Sequence, residues 1–111
     1  MPFSLATSNR SFIKMHGLRN HFVIVDARVR PYQPDHDEVI RICDGQIGIG
    51  ADQLVVIEES ENADAFMRLY NVDGREAQAC GNATRCVAAL LLKSTKASTI
   101  TIETLAALLH C

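Results

Sequence analysis

No apolar run in this 111-residue chain approaches the ~18 residues that a membrane span requires. Met1 to Arg10 also lack the continuous apolar stretch of a signal peptide. These ten residues read as an extension, and the chain is expected to be cytoplasmic. A strong excess of either charge is missing too. The net charge is −2, and no basic stripe interleaved with aromatics occurs, so neither nucleic acid nor an anionic membrane is an expected partner. The four cysteines, Cys43, Cys80, Cys86 and Cys111, include no Cys-x-x-Cys pair, which removes the common zinc and redox spacings. In a reducing compartment disulfides are not expected either. No Gly-Lys-Ser/Thr follows Gly48 and Gly50, so that glycine pair is not a phosphate-binding P-loop. Internal repeats, low-complexity segments and the strand–helix alternation of a doubly wound parallel sheet are all absent.

What is present is ordinary for a folded domain. Hydrophobic residues make up 48% and charged residues 22%, too apolar for disorder. A chain of this length buries roughly 60–70% of the surface it exposes when unfolded. Phe12 to Met15 and Phe22 to Asp26 read as strands, the second a β-branched run suited to a buried position. After Pro31 and Pro34, Asp35 is placed to cap a helix, with Glu38 completing a capping-box pair. Val39, Ile40, Ile42 and Cys43 supply that helix's apolar face, and Asp44-Gly45 ends it. Gln46 to Asp52 reads as a tight loop and Gln53 to Glu58 as a strand. Ala65 to Tyr70 and Arg75 to Ala79 form a hairpin about Asn71-Val72-Asp73-Gly74. Gly81 to Lys93 is a helix, apolar nearly all round and therefore expected to be buried. Ser98 to Glu103 and Leu108 to Cys111 close the pattern as two more strands. The fold class is α+β: mostly antiparallel strands wrapped around one buried central helix, with a second helix at the side.

Chemistry concentrates at Ala79-Cys80-Gly81-Asn82-Ala83-Thr84-Arg85-Cys86. A cysteine where a strand passes into a helix sits beside unsatisfied helix N–H groups and the positive end of the helix dipole. Both favour thiolate, against an ordinary thiol pKa of about 8.5. Gly81 lets a ligand approach the backbone closely, and the same N–H groups can hold a carboxylate. Cys80 is thus a candidate acid/base, whereas Cys86, inside the helix, reads as a core residue. His16 and His21 are loop histidines without a supporting cluster, and no metal is expected there.

Three motifs, in order, resemble those of the diaminopimelate epimerases. They are Met15-His16-Gly17-Leu18-Arg19-Asn20-His21-Phe22, Gly48-Ile49-Gly50-Ala51-Asp52-Gln53, and Asn71-Val72-Asp73-Gly74 followed by Cys80-Gly81-Asn82-Ala83-Thr84-Arg85-Cys86. The resemblance runs from Phe12 to the last residue and covers less than half of a full-length family member. It implies a cofactor-independent epimerase, without pyridoxal phosphate or metal, that interconverts LL- and meso-diaminopimelate in lysine and peptidoglycan-precursor synthesis. Two cysteines, one from each of two similar domains, work on opposite faces of the stereocentre. Carried over by motif, Cys80 matches the first catalytic cysteine. Gly81 and Asn82 match the helix start that holds the reacting carboxylate, and Asn20, Gln53 and Asn71 match substrate-binding amides.

The sequence departs from that pattern at Arg19, where glycine is usual, at His21, where aspartate is usual, at Ala107, where a turn glycine is usual, and at Arg75, a place often held by serine. On this reading residues 1–11 are an extension and 12–111 a truncated N-terminal domain. The second domain is missing, and the isolated chain is expected to be inactive. The expected ligand is an amino acid. The expected partner is the missing half, with a homodimer pairing two Cys80 sites as the alternative. The rival functions are a proline racemase-like isomerase and an inactive remnant serving as a binding module.

Overall fold

A computed structural model of the chain describes residues 12–16, 20–46, 48–77, 81–93, 98–105 and 108–110. The elements in chain order are β1 (Ile13–His16), β2 (His21–Asp26), α1 (His36–Cys43), β3 (Gln53–Glu58), β4 (Ala65–Asn71), β5 (Glu76–Ala77), α2 (Gly81–Lys93), β6 (Thr101–Glu103) and β7 (Leu108–His110). They make one sheet in the order β1-β2-β3-β4-β6-β7, with β5 also paired to β4. β3 occupies one edge of β4, and β6 and β5 share the other. β6 takes Ala65 and Phe66, and β5 takes Leu69 and Tyr70.

Most neighbouring pairs are antiparallel, as expected. Two pairs, β2·β3 and β4·β6, are parallel. Parallel neighbours need a crossover long enough to return the chain, and each crossover here contains a helix. α1 lies between β2 and β3. α2 lies between β5, which ends opposite Leu69, and β6, which begins opposite Ala65. The α2 connection therefore runs back along β4, from its Asn71 end towards its Ala65 end.

The helices cover opposite faces of the sheet. Phe22, Ile24, Val55, Ile57, Met67 and Leu69 pack with Ala83, Cys86, Val87, Ala88 and Leu91 of α2. Val23, Val25, Leu54 and Val56 pack with Val39, Ile42 and Cys43 of α1 and with Tyr32. β2 and β3 are consequently buried on both faces at four successive residues, which is why they read as continuous apolar runs rather than alternating ones. β4 alternates, with Ala65, Met67 and Leu69 buried and the residues between them half-buried. On its more open face Arg68 lies between Glu58 at 3.0 Å and Glu76 at 2.9 Å, above the Phe66 ring. Burial of α2 is one-sided: Ala89 is exposed and Leu90 and Leu92 are half-buried. An apolar sequence on every side does not reveal which side the sheet will take.

α1 begins as its sequence indicates. The Asp35 carboxylate accepts the Glu38 N–H at 2.8 Å, and Asp37 and Glu38 in the first turn and Arg41 in the last suit the helix dipole. The Glu38 carboxylate, expected to reach back to the cap, instead accepts a hydrogen bond from the hydroxyl of the buried Tyr32. Its partner comes from the preceding loop, six residues away, and that contact has no signature in a capping-box pattern.

Candidate active site

Three of the expected amide residues meet at one end of the sheet. Phe22 pairs with Gln53 across β2·β3, and Gln53 pairs with Asn71 across β3·β4. Strand alternation puts Gln53 on the face of Val55 and Ile57, and Asn71 on the face of Leu69 and Met67. Asn20, one residue before β2, shares the parity of Phe22 and Ile24. All three thus continue the face that α2 covers, at the point where its apolar lining stops. The Gln53 Nε2 amide donates to Asn71 Oδ1 at 3.0 Å. Asn20 and Gln53 are half-buried and Asn71 is exposed.

Asn71 also does the turn work that its type suggests. It donates its N–H to Arg75 O at 2.9 Å and accepts at its carbonyl from Gly74 N–H at 2.9 Å. Gly74 has φ +86°, and a Cβ there would stand 2.7 Å from His36 O. Only glycine fits both the turn and its contact with the start of α1.

The loop before Gln53 is wound onto the other end of α1. Ile49 and Gly50 donate to Ile42 O, and Ala51 donates to Cys43 O, at 3.0–3.1 Å. These are orphan carbonyls of the helix terminus, satisfied by the loop that follows it. Gly48 passes so close that a Cβ would lie 1.8 Å from Arg41 O, and Gly50 has φ +81°. Both glycines of the second motif therefore serve the approach of the chain to α1. Asp52 then exchanges hydrogen bonds with His21: its carboxylate accepts the His21 N–H at 2.7 Å, and its own N–H donates to His21 O at 2.9 Å. Asp52 carries no role of its own in the sequence, where its signals are its place in the second motif and a carboxylate directly before a strand.

Of the third motif, Gly81 opens α2, and no acidic residue stands in the helix's first turn. Asn82 is half-buried, and the Arg85 guanidinium donates to its Oδ1, setting the orientation of that amide. Cys80 lies outside the described residues, as do Arg19 and Ala107. His21 is exposed, and its backbone N–H and C=O bond to Asp52. Arg75 is exposed as well.

Cys43 and Cys86 are buried, in agreement with their reading as core residues. Burial, and secondarily the nearby Asp52 carboxylate, pushes the Cys43 thiol up to about 11. A thiol held there is inert near neutrality. Among the described residues no group of three or more His, Cys, Asp or Glu side chains could hold a metal ion, and no helix is long and apolar enough to cross a membrane. A cleft of about 490 Å³, lined by Arg28, Glu59, Ser60, Glu61 and Asp64, lies at the opposite end of the sheet from the amides. None of the site residues among the described ones lines it.

Comparison with known proteins agrees with the motifs. The family model described as diaminopimelate epimerase matches residues 12–110. A diaminopimelate epimerase of Acidiphilium cryptum (strain JF-5) is 52% identical over 100 residues, covering 90% of this chain and 36% of the relative. One of Sphingopyxis alaskensis is 51% identical over 99 residues, covering 89% and 35%. The chain spans about a third of the length of these relatives. Among solved structures, a Bacillus anthracis phenazine biosynthesis protein of the PhzF family superimposes with a TM-score of 0.60 at 26% identity, covering 89% of this chain and 33% of that one.

Proposed function

The chain belongs to the diaminopimelate epimerase family, and on that premise we propose that it furnishes one half of a cofactor-independent epimerase site. Cys80 is its acid/base, and the substrate is diaminopimelate, passing between the LL and meso forms. The reaction would serve lysine and peptidoglycan-precursor synthesis. Inversion needs a proton removed on one face of the α-carbon and delivered on the other. As base, the Cys80 thiolate takes the α-proton and becomes a thiol, while an acid on the far face protonates the carbanion. In the reverse direction Cys80 is the acid. The far-face group would come from the remainder of a longer protein.

The observation that carries this reading is the row Asn20, Gln53 and Asn71 on the α2-covered face. The α2 connection starts from the same end of the sheet, and its first turn contains no acidic side chain to compete for its N–H groups. Neutral donors and acceptors at that end suit an amino acid's ammonium and carboxylate, and the α2 N-terminus would take its reacting carboxylate. Gly81 and Asn82 would hold that carboxylate. The raised thiol of Cys43 and the core position of Cys86 leave the acid/base role to a cysteine elsewhere.

The test is site-resolved alkylation. With iodoacetamide at pH 7 and peptide mass mapping, Cys80 is expected to react faster than an unfolded cysteine control, while Cys43 resists. A Cys80 no faster than the control would sink the activated thiolate. The purified chain is expected to show no LL-to-meso turnover. Measurable turnover would show that the second half is dispensable, for instance through a homodimer, which light scattering would reveal.

A further inference from the structure

We propose that Asp52 is the positioning residue of the amide-bearing end of the sheet: its exchange of hydrogen bonds with His21 fixes where Asn20, Gln53 and Asn71 stand relative to one another. Its functional consequence rests on reading that end as the substrate-binding end.

Asp52 directly precedes Gln53, and His21 directly follows Asn20. The bonds Asp52 Oδ2 to His21 N–H at 2.7 Å and Asp52 N–H to His21 O at 2.9 Å thus tie together the residues next to two of the amides. Gln53 extends the link to Asn71 through its side chain at 3.0 Å. β2 and β3 are parallel, so no tight turn fixes their register. A slip by one residue would send Gln53 to the α1 face, away from Asn71. The molecule contains its own control. Asp64, directly before β4, exchanges the same kind of bonds with Thr101, the first residue of β6, in the other parallel pair. That fastening is at the far end of the sheet, beside the acidic cleft and away from the amides.

Two properties separate a positioning role from a merely structural one. The first is the pair of Gln53 and Asn71 side-chain amide resonances in a ¹⁵N-labelled sample of the whole chain. Asp52→Ala is expected to collapse their dispersion to that of unconstrained amides. Asp64→Ala should leave it in place, and Asp52→Asn, which keeps an acceptor for the His21 N–H, should restore it. The second is titration with meso-diaminopimelate, where Asp52→Ala is expected to weaken binding at least about threefold more than Asp64→Ala does. If Asp52→Ala does not fold, Asp52→Glu is read at the same resonances. Its longer arm is expected to displace them, and unchanged resonances would overturn the proposal. So would an Asp52→Ala protein that keeps the Gln53–Asn71 dispersion, or equal losses of binding in the two alanine variants. Absence of any ligand-induced shift in the unmutated chain would instead defeat the substrate reading, leaving the resonances to judge Asp52.

Discussion

At the start of β3 an aspartate and the first residue of β2 exchange hydrogen bonds. At the start of β4 another aspartate does the same with the first residue of β6, where the Thr101 hydroxyl joins in at 3.0 Å. Among the described residues each parallel crossover also has a buried cysteine, Cys43 on α1 and Cys86 on α2. They differ in what surrounds the fastening. Beside Asp52 are a loop wound onto the end of α1 and the Gln53–Asn71 pair. Beside Asp64 are Glu59, Glu61 and Arg28 around an open cleft. A fastening that recurs at both ends of a sheet is first a device for setting parallel register. It acquires a site-building role only where the strand it fixes carries side chains for a ligand. A motif aspartate is therefore not by itself a catalytic carboxylate.

The sharpest way to break this comparison is to strike the α1 crossover at Gly48. A Cβ there meets the Arg41 carbonyl oxygen at 1.8 Å, and that atom is backbone. The loop must leave α1 and release the bonds to Ile42 O and Cys43 O. Gly48→Ala is expected to cost about 3 kcal/mol or more. Gly45→Ala, three residues earlier, meets nothing within 4 Å and should change stability by less than about 0.5 kcal/mol. Urea midpoints of the two variants make the measurement. Equal losses would mean that the loop is not seated on α1 as described.

Much of the frame was legible because its pattern is local. Gln53 to Glu58 and Gly81 to Lys93 have the bounds that the sequence indicates, since each is a long apolar run between turn formers. Ser98 to Glu103 was not, and only Thr101–Glu103 pairs, although Ile100 is still buried. Burial tracks apolarity, while strand pairing needs a neighbour that apolarity does not specify. For the same reason the two parallel pairings could not be read: the β-branched runs of β2 and β3, buried on both faces, look alike in either direction, and the alternation of β4 and β6 does not name their neighbours. In the site, Asn71 and Gln53 looked like a turn residue and a strand start, and both descriptions are true. Their side-chain bond across 18 residues is a product of register and appears in no local window. Cys86 was legible as core from its helical position. Cys80 rests on the motif and its helix junction.

A smaller effect belongs to the buried cysteine of α1. The Asp52 carboxylate lies in the environment of Cys43, and burial with that charge holds its thiol up to about 11. An acid whose folded pKa is raised stays protonated while the unfolded chain ionises. Its stabilisation is therefore intact below the ordinary thiol value of about 8.5 and is lost as pH climbs towards the folded value. The loss is expected to be on the order of 2 kcal/mol by pH 11. Cys43→Ala should remove this alkaline limb from the stability–pH curve. Asp52→Asn should shorten it, because burial is the larger cause and the carboxylate the smaller. An unchanged limb in Cys43→Ala would assign the alkaline loss to another group.

The finest distinction lies at the far fastening, at the acid end of the pH scale. The Thr101 backbone N–H, and after it the Thr101 hydroxyl, hold the Asp64 carboxyl below its usual range. A carboxylate with a depressed folded pKa stabilises the fold above its unfolded value of about 4, and that contribution fades as pH falls through the lower folded value. Unfolding measured from pH 6 down to pH 2 should then show Asp64→Asn less stable than the unmodified chain near neutrality. The two curves should converge in acid, where the unmodified carboxyl is protonated as well. Because the backbone N–H is the larger cause, Thr101→Val should keep most of the acid limb while losing the hydroxyl. An acid limb abolished by Thr101→Val would make the hydroxyl the principal fastening. The Asp64 exchange would then differ in kind from that of Asp52, which bonds to the backbone N–H and C=O of His21.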